Sequence, residues 1–414
     1  MQENIEYLQK VQAAKKSIAF LNDEQKNTIL HSIADALIEK TPTIAQANAQ
    51  DISGGRENGL TEALLDRLLL DAPRIQDIAE SLRTIARLKD PVARTLEGWA
   101  LPNGLRVQKV SIPIGVIGVI YEARPNVTTD VAALCLKSGN VCILKGGKEA
   151  KHSNAIMIEI IQEVLRAHNV SEYCVSAFAD SSRESVTDML KQDKYIDLII
   201  PRGGEGLIRY VSENSTIPVL KHDKGVCNIF VDESADIQEA IDIVVNAKTR
   251  RPGVCNALEC MIVHKNIANA FLPLAKKAFD AKQTLLKGCA QTKVIVDVEL
   301  IDSEAYHIEY LDNILNIKIV DSLREAVEHI ETYGSGHSDS ILTTSLESSR
   351  LFCQMVDSAC VYVNASTSFT DGGQFGFGAE VGISTAKLHA RGPMGVDDLT
   401  TYKFVIMGEG QIRA

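Results

Sequence analysis

The sequence predicts an α/β protein in which helices cover both faces of parallel sheets. From about residue 105 onward, short apolar runs rich in β-branched residues alternate with helical segments, as expected of buried parallel strands. The 414 residues are 45% hydrophobic and 23% charged. A chain of this length usually divides into two or three domains, because single hydrophobic cores stop growing at roughly 250–300 residues.

The first hundred residues are predicted to be helical. Asn22 and Gln25 have the spacing of a helix-capping signal, and Ile29, Ile33 and Leu37 follow with helical periodicity. Strands then alternate with helices in two series. The predicted strands lie within 110–123, 139–147 and 194–204 in the first series, and within 227–236, 258–265, 318–322 and 360–366 in the second.

Net charge, apolar stretches and cysteine spacing exclude several classes of function. The net charge of −11 argues against a nucleic-acid partner. The N-terminal residues lack the apolar core of a secretory signal, and apolar stretches stay below the roughly 18 residues of a membrane span, so we predict no membrane contact and a cytoplasmic location. The nine cysteines are irregularly spaced and the histidines lack metal-ligand spacing. We therefore expect neither disulfides nor a metal site.

Cys255 is the candidate nucleophile. It follows a Pro-Gly turn and precedes a predicted helix or short strand. A thiol at such a turn can be activated by backbone N–H groups and nearby cations. The alternative is one more small buried residue, because unpaired cysteines often serve as core filler.

Loops after three predicted strands carry further candidates, since ligands of parallel-sheet proteins bind at the carboxyl ends of strands. Arg124 and Asn126 follow the first strand, where the Asn126 amide could polarise a carbonyl or cap a helix. Lys145 and Lys148 surround a Gly pair that suits a phosphorylated ligand, or form a solvated turn. The loop 201–206 is glycine-rich but lacks the full GxGxxG spacing.

Several ordered segments resemble the aldehyde dehydrogenase superfamily and, within it, the γ-glutamyl phosphate reductase family. They include YEARPNVTTD, GNVCILKGGKEA, PRGGEGLIRYV, NAKTRRPGVCNALE and GGQFGFGAEVGISTAKLHARGPMGVDDLTTYKF, and span about residue 110 to the C-terminus. The resemblance implies an aldehyde dehydrogenase-like fold. Its parts would be a Rossmann-like cofactor domain (1–104 and 122–225), a second α/β catalytic domain (226–396) and a small β oligomerisation flap (105–121 and 397–414).

The resemblance also implies a reaction, the NADPH-dependent reduction of L-glutamyl 5-phosphate to L-glutamate 5-semialdehyde with release of phosphate, in proline biosynthesis. Cys255 matches the family nucleophile and would form a thioester, while Asn126 and the Cys255 N–H would bind the oxyanion. Hydrolytic members of the superfamily place a water-activating glutamate in the segment that corresponds to 224–228. That segment has no carboxylate here, which fits an enzyme that must not hydrolyse its thioester.

The same resemblance implies which residues of this chain bind the cofactor. Lys145 and Lys148 are expected to bind NADPH, with Lys148 near its 2′-phosphate. Gly203 and Gly204 would lie near the pyrophosphate. Glu380 resembles the glutamate that holds the nicotinamide ribose, with a purely structural carboxylate as the alternative.

Substrate contacts are expected from Arg124 and from the loop that contains Ser366 and Thr367. The family usually has arginine at position 368 and glutamine at position 250, whereas this chain has Ser368 and Arg250. Which group binds the anionic ends of the substrate is therefore open. For three further residues in matching segments a structural role is an equal alternative: His222, His337 and Arg391.

The resemblance implies a homo-oligomer, and an upstream glutamate 5-kinase with which the chain would make transient contact. Two alternative functions are a related aldehyde dehydrogenase acting on another acyl phosphate or a free aldehyde, and a non-catalytic nucleotide-binding or scaffold subunit. A scaffold needs neither Cys255 nor Asn126, so their presence together with the Gly-rich loops disfavours it.

Overall fold

The computed structural model describes residues 2–122, 124–178, 183–221 and 224–413. Its α-helices are α1 (Gln2–Ile18), α2 (Asp23–Glu39), α3 (Thr41–Glu57), α4 (Glu62–Leu68), α5 (Ala72–Ala86), α6 (Asn126–Lys137), α7 (Lys151–Ala167), α8 (Arg183–Met189), α9 (Glu205–Asn214), α10 (Ile237–Thr249), α11 (Lys265–Asp280), α12 (Ala290–Ile295), α13 (Leu323–Tyr333) and α14 (Leu346–Met355). Short 3-10 helices cover Lys148–Ala150, Glu172–Cys174, Ser303–His307, Thr367–Phe369 and Asp397–Leu399.

The strands are β1 (Thr95–Ala100), β2 (Arg106–Pro113), β3 (Val116–Tyr121), β4 (Val141–Gly146), β5 (Val175–Ala177), β6 (Leu198–Arg202), β7 (Cys227–Val231), β8 (Leu258–His264), β9 (Leu285–Gly288), β10 (Glu299–Leu300), β11 (Ile314–Val320), β12 (Ser338–Leu342), β13 (Cys360–Val363), β14 (Ile383–Ser384), β15 (Gly392–Pro393) and β16 (Thr400–Met407). The chain divides into two compact units. The first comprises residues 1–221, 376–382 and 394–414, and the second comprises 222–375 and 383–393.

A parallel sheet in the order β5-β4-β3-β6 forms the centre of the first unit. Every residue of β3 is buried, as its uninterrupted apolar sequence predicts for a strand covered on both faces. A Cβ atom at Gly118 in this strand would lie 2.5 Å from the end of the Met189 side chain, so the covering helix packs closely. Because the strands are parallel, the loops after β3, β4 and β6 meet at one edge of the sheet.

The N-terminal helices complete this unit, and the predicted start of the second helix is confirmed. Asn22 accepts the Gln25 N–H at 2.9 Å, and the Gln25 side chain accepts the Asn22 N–H at 2.9 Å, which is a reciprocal capping box. Ile29, Ile33 and Leu37 of α2 are buried, as their spacing predicts.

An antiparallel sheet in the order β1-β2-β16 also belongs to the first unit. In it β2 pairs with the C-terminal strand β16, so the two segments expected to form the flap do lie side by side. The limits of this antiparallel sheet differ from the flap limits expected from sequence, 105–121 and 397–414. Residues 116–121 form the central strand of the parallel sheet instead, and Thr95–Ala100 joins the antiparallel sheet. The cause is Gly115, whose φ of +135° breaks the long apolar run into two strands.

The second unit contains a sheet in the order β10-β9-β11-β8-β7-β12-β13, in which the paired strands run parallel. The parallel α/β pattern predicted from the alternating segments is thereby confirmed. Segments 376–382 and 394–396, which the sequence-based limits assign to the catalytic domain, belong to the first unit. The two segments pair with each other, since the Val381 N–H donates to the Met394 carbonyl oxygen at 2.9 Å.

Candidate active site

Cys255 lies in a turn of the second unit, between the end of α10 at Thr249 and the start of β8 at Leu258. The turn therefore enters a strand, which is one of the two predicted alternatives. The Cys255 side chain is half-buried, whereas Cys227 and Cys260 are buried. Burial raises the pKa of the Cys227 and Cys260 thiols well above their ordinary value. Of these three thiols, Cys255 is the one that a substrate can reach.

Gly225 passes directly against the backbone of this turn. A Cβ atom at position 225 would lie 2.0 Å from the Cys255 carbonyl oxygen and 2.8 Å from its Cα, so only glycine fits there. Cys227 Sγ donates to the same carbonyl oxygen at 3.2 Å. The start of β7 thus packs directly against the turn that carries the candidate nucleophile.

Gly225→Ala should lower the turnover of the enzyme by about 100-fold, because the new methyl group must displace the turn that carries the candidate nucleophile Cys255. The free energy of unfolding should fall by about 1–3 kcal/mol. Gly54→Ala inside α3 is the matched control, since a Cβ atom there meets nothing within 4 Å. Steady-state kinetics and urea unfolding measure both effects. Wild-type turnover in Gly225→Ala would show that this contact does not set the position of the thiol.

The loop that follows β13 holds Asn256, the residue after the candidate nucleophile. Asn256 Nδ2 donates to the Thr370 carbonyl oxygen at 2.8 Å, and Thr367 Oγ1 donates to the Asn256 carbonyl oxygen at 2.8 Å. Ser366 and Thr367 are 4% and 0% exposed, and the Ser366 and Ser368 hydroxyls are hydrogen-bonded at 2.5 Å. The Thr367 hydroxyl thus supports the turn that contains Cys255 and Asn256, while the predicted substrate contacts of Ser366 and Thr367 stay a prediction.

A buried ion pair connects the helix before the Cys255 turn, α10, to the strand after it, β8. Lys248 Nζ in α10 donates to Glu259 Oε2 in β8 at 3.0 Å, and both side chains are at most 1% exposed. Glu259 Oε1 accepts the N–H of Leu311 at 3.4 Å, and Leu311 has a φ of +53°, which is rare for a bulky residue. Burial raises the pKa of Glu259 to about 7, against the opposing effect of Lys248, and lowers the pKa of Lys248.

In the first unit, the predicted ligand loops meet at the carboxyl edge of the parallel sheet. β3 lies between β4 and β6, so Arg124 after β3, Lys145 in β4 and Gly203 after β6 are brought to the same edge. Lys145 is buried, while Arg124 and Lys148 are exposed. The structure therefore places a cationic group on two neighbouring strand ends.

Asn126 is the first residue of α6, and its side chain is exposed. The alternative of a helix N-cap is wrong, because Pro125 occupies that position. Asn126 Nδ2 instead donates to Asp130 Oδ2 at 3.1 Å, one turn further along the helix. The amide is thus held at a defined orientation above the sheet edge.

Gly204 and Gly203 lie beside a carboxylate. The Gly204 N–H donates to Glu122 Oε2 at 3.0 Å, and a Cβ atom at Gly203 would lie 2.7 Å from the Glu122 carboxyl carbon. A pyrophosphate bound to that N–H would have to displace Glu122. Glu380 is half-buried in the returning segment 376–382, near the point where Gly382 approaches the Arg202 guanidinium at the end of β6.

Two of the remaining candidate residues, Arg391 and His337, contact other side chains of the protein. Arg391 Nη1 donates to Asp357 Oδ1 at 2.7 Å. His337 is buried, with Nδ1 at 2.8 Å from the Ser338 hydroxyl. His222 lies outside the described residues.

Sequence reasoning missed several residues that hold the candidate groups in place: Glu122, Asp130, Gly225, Cys227 and Glu259. Asp130 could have been found, because it lies four residues after Asn126 on the same helical face. Gly225 could not, because its contact with the nucleophile arises only when β7 and β8 pair.

Within the described ranges, His, Cys, Asp and Glu side chains form no group of three or more that could hold a metal ion. No helix in this part of the chain is long and apolar enough to cross a membrane.

Known families and structures match the chain over most of its length. The model of the aldehyde dehydrogenase family matches residues 2–294. The chain belongs to the aldehyde dehydrogenase family. Among its aldehyde dehydrogenase relatives, a γ-glutamyl phosphate reductase from Nitratiruptor sp. is 57% identical over 408 residues, with 98% of this chain and 99% of the relative covered. Another from Nautilia profundicola is 56% identical over 408 residues, with 99% of each chain covered.

Solved structures agree with this family and with the predicted aldehyde dehydrogenase-like fold, which is confirmed. The crystal structure of a γ-glutamyl phosphate reductase from Thermotoga maritima has a TM-score of 0.97 and 45% identity, with 100% of both chains covered. An acetylating aldehyde dehydrogenase from Geobacillus thermoglucosidasius has a TM-score of 0.70 and 18% identity, with 100% of this chain and 98% of that chain covered. The latter likeness shows the fold alone.

Proposed function

We propose that this chain reduces L-glutamyl 5-phosphate to L-glutamate 5-semialdehyde with NADPH, releasing phosphate, in proline biosynthesis. The observation that carries the proposal is the half-buried Cys255, on a turn packed against Gly225. Curated relatives with the matching reductase name support the choice of substrate, because they cover nearly the whole chain.

The Cys255 thiolate would attack the acyl carbon of the substrate, and the bond from that carbon to the phosphate oxygen would break. Phosphate leaves and a thioester remains on Cys255. Asn126 Nδ2 and the Cys255 N–H would stabilise the oxyanion, a donor type whose loss typically costs about 2.7–4 kcal/mol. Segment 224–228 offers no carboxylate to activate water, and the Glu259 carboxylate is held by Lys248.

The residues at the sheet edge of the first unit fit NADPH. Lys145 and Lys148 provide positive charge for a 2′-phosphate. When bound, the nicotinamide supplies the hydride that brings the thioester to the aldehyde level. The pyrophosphate contact at Gly203 and Gly204 and the ribose contact at Glu380 belong to the same proposal.

The reverse reaction tests this assignment. Purified protein should reduce NADP in the presence of glutamate 5-semialdehyde and phosphate, with little activity when phosphate is withheld and slower turnover with NAD. Phosphate is required because it must release the acyl group from Cys255. Oxidation that does not depend on phosphate would identify a free-aldehyde dehydrogenase instead. Folded protein without activity under any of these conditions would favour a non-catalytic role.

The antiparallel sheet supports a homo-oligomer assembled through the flap, as part of the same proposal. Trp99, Tyr402 and Phe404 are 43%, 50% and 52% exposed, and apolar surface of this kind commonly marks a protein interface. We also propose a cytoplasmic location and transient contact with a glutamate 5-kinase. Light scattering should give a mass above that of one chain, and Phe404→Asp should lower it.

A further inference from the structure

Asp130 connects the candidate oxyanion donor to the helix behind it. Asn126 and Asp130 are four residues apart in α6 and therefore lie on the same helical face. Asn126 Nδ2 donates to Asp130 Oδ2 at 3.1 Å, and Ser81 Oγ in α5 donates to Asp130 Oδ1 at 3.3 Å. The two carboxyl oxygens thus link Asn126 to a second helix.

The chemistry of the two side chains makes this link directional. An amide group has a donor end and an acceptor end, whereas an ionised carboxylate only accepts hydrogen bonds. Ionised Asp130 therefore selects the orientation in which Nδ2 of Asn126 faces it. One N–H of Nδ2 is then used by Asp130, and the other is left to donate to a substrate oxygen. A protonated carboxyl can also donate, so it accepts either end of the amide.

We propose that Asp130 is a positioning residue that holds the Asn126 amide with its second N–H available to the oxyanion. The inference rests on the proposed function, because it assigns Asp130 to the oxyanion step of that reaction. Asp130 touches neither substrate nor cofactor in this assignment and acts through Asn126.

Asp130 titrates within the pH range in which enzyme activity can be measured. Burial raises the pKa of Asp130 to about 6, while hydrogen bonds from Asn126 and Ser81 and the positive charge of Arg202 act in the opposite direction. Arg202 reaches it from the end of β6, and Ser81 faces it from α5. Above this pKa the carboxylate is ionised and the amide is held. As the pH falls through about 6, Asp130 becomes protonated and no longer selects one orientation of the Asn126 amide. The value of kcat should therefore fall.

Asp130→Asn tests the inference, because the new side chain keeps the size of Asp130 but can face either end of the amide at every pH. At pH 8 its kcat should be about twofold below wild type, the factor expected when the two orientations of the amide are equally populated. The ratio of wild-type to variant kcat should fall towards one as the pH falls below about 5. This ratio cancels the titrations that both proteins share. The KM for NADP should not change.

Three further variants complete the test. Ser81→Ala should also lower kcat, as Asp130→Asn does, and Asp77→Asn on the exposed face of α5 should have no effect.

Asn126→Ala should lower kcat by about 10²–10³-fold. Adding Asp130→Asn to this variant should cause no further loss of kcat. If Asn126→Ala is impaired but Asp130→Asn matches wild type at every pH, the inference is overturned and the proposed function stands. Full turnover in Asn126→Ala would overturn both the inference and the oxyanion role of Asn126.

Discussion

Cys255→Ser should reduce turnover by more than about 10³-fold while leaving the fold unchanged. A serine hydroxyl stays protonated near neutral pH, and segment 224–228 offers no carboxylate to deprotonate it. An oxygen ester is also a poorer hydride acceptor than a thioester. Because the position is half-buried, the smaller oxygen atom should be accommodated without loss of stability.

A burst experiment separates a nucleophile from a cysteine that only supports the fold. With glutamate 5-semialdehyde and NADP but no phosphate, wild-type protein should form about one equivalent of NADPH per active site and then stop, since the acyl group remains on Cys255. Cys255→Ser should show no burst, and mass spectrometry should find the wild-type acyl group on the peptide that contains Cys255.

Cys260→Ser is the control for the burst, because Cys260 lies five residues further along and its buried Sγ is 3.5 Å from His329 Nε2. This variant should retain the burst. An acyl label on another side chain, or a full burst in Cys255→Ser, would contradict the mechanism.

The features that the sequence predicted correctly are those encoded by neighbouring residues. The Asn22–Gln25 cap, the buried face of α2 and the fully buried strand β3 each follow from a local pattern of polar and apolar residues. The Pro-Gly turn before Cys255 is likewise local, and it correctly indicated a turn that leads into a helix or short strand, which is β8. Gly115 shows the limit of this reasoning, because its φ of +135° divides one apolar run between two sheets.

The contacts that hold the candidate site depend on chain segments that are distant in sequence. Thr367 Oγ1 donates to the Asn256 carbonyl oxygen across 111 positions of the chain, a contact that the sequence did not predict. Gly225 approaches Cys255 only because β7 and β8 are adjacent. Such contacts require the tertiary fold, and no periodicity or turn motif in either segment encodes them.

Lys248→Met should lower the free energy of unfolding by about 3–5 kcal/mol at neutral pH, since it leaves the Glu259 carboxylate buried without its partner. The pKa of Glu259 is already raised from 4.5 to about 7 by burial, and removal of Lys248 should raise it further. A carboxyl group with a raised pKa in the folded state loses stability as the pH rises. The deficit relative to wild type should therefore shrink as the pH falls below about 7, because Glu259 then becomes protonated in the folded state of both proteins.

Urea unfolding at pH 5 and pH 8 measures this difference, with Lys276→Met as the control. Lys276 pairs with Asp280 on the exposed face of α11 at 2.8 Å, with side chains 28% and 54% exposed, so its loss should cost less than about 1 kcal/mol. Equal costs for the two lysine variants would show that the Lys248–Glu259 pair contributes no more than a surface pair.

The double variant Lys248→Met/Glu259→Leu distinguishes charge burial from positioning. It removes both charges, so most of the unfolding free energy should return, as when buried pairs are replaced by apolar residues. Turnover should remain below wild type, because the Leu311 N–H loses its acceptor and the turn of Cys255 loses the link between α10 and β8. Recovery of both stability and turnover would mean that apolar packing alone can hold the nucleophile in place.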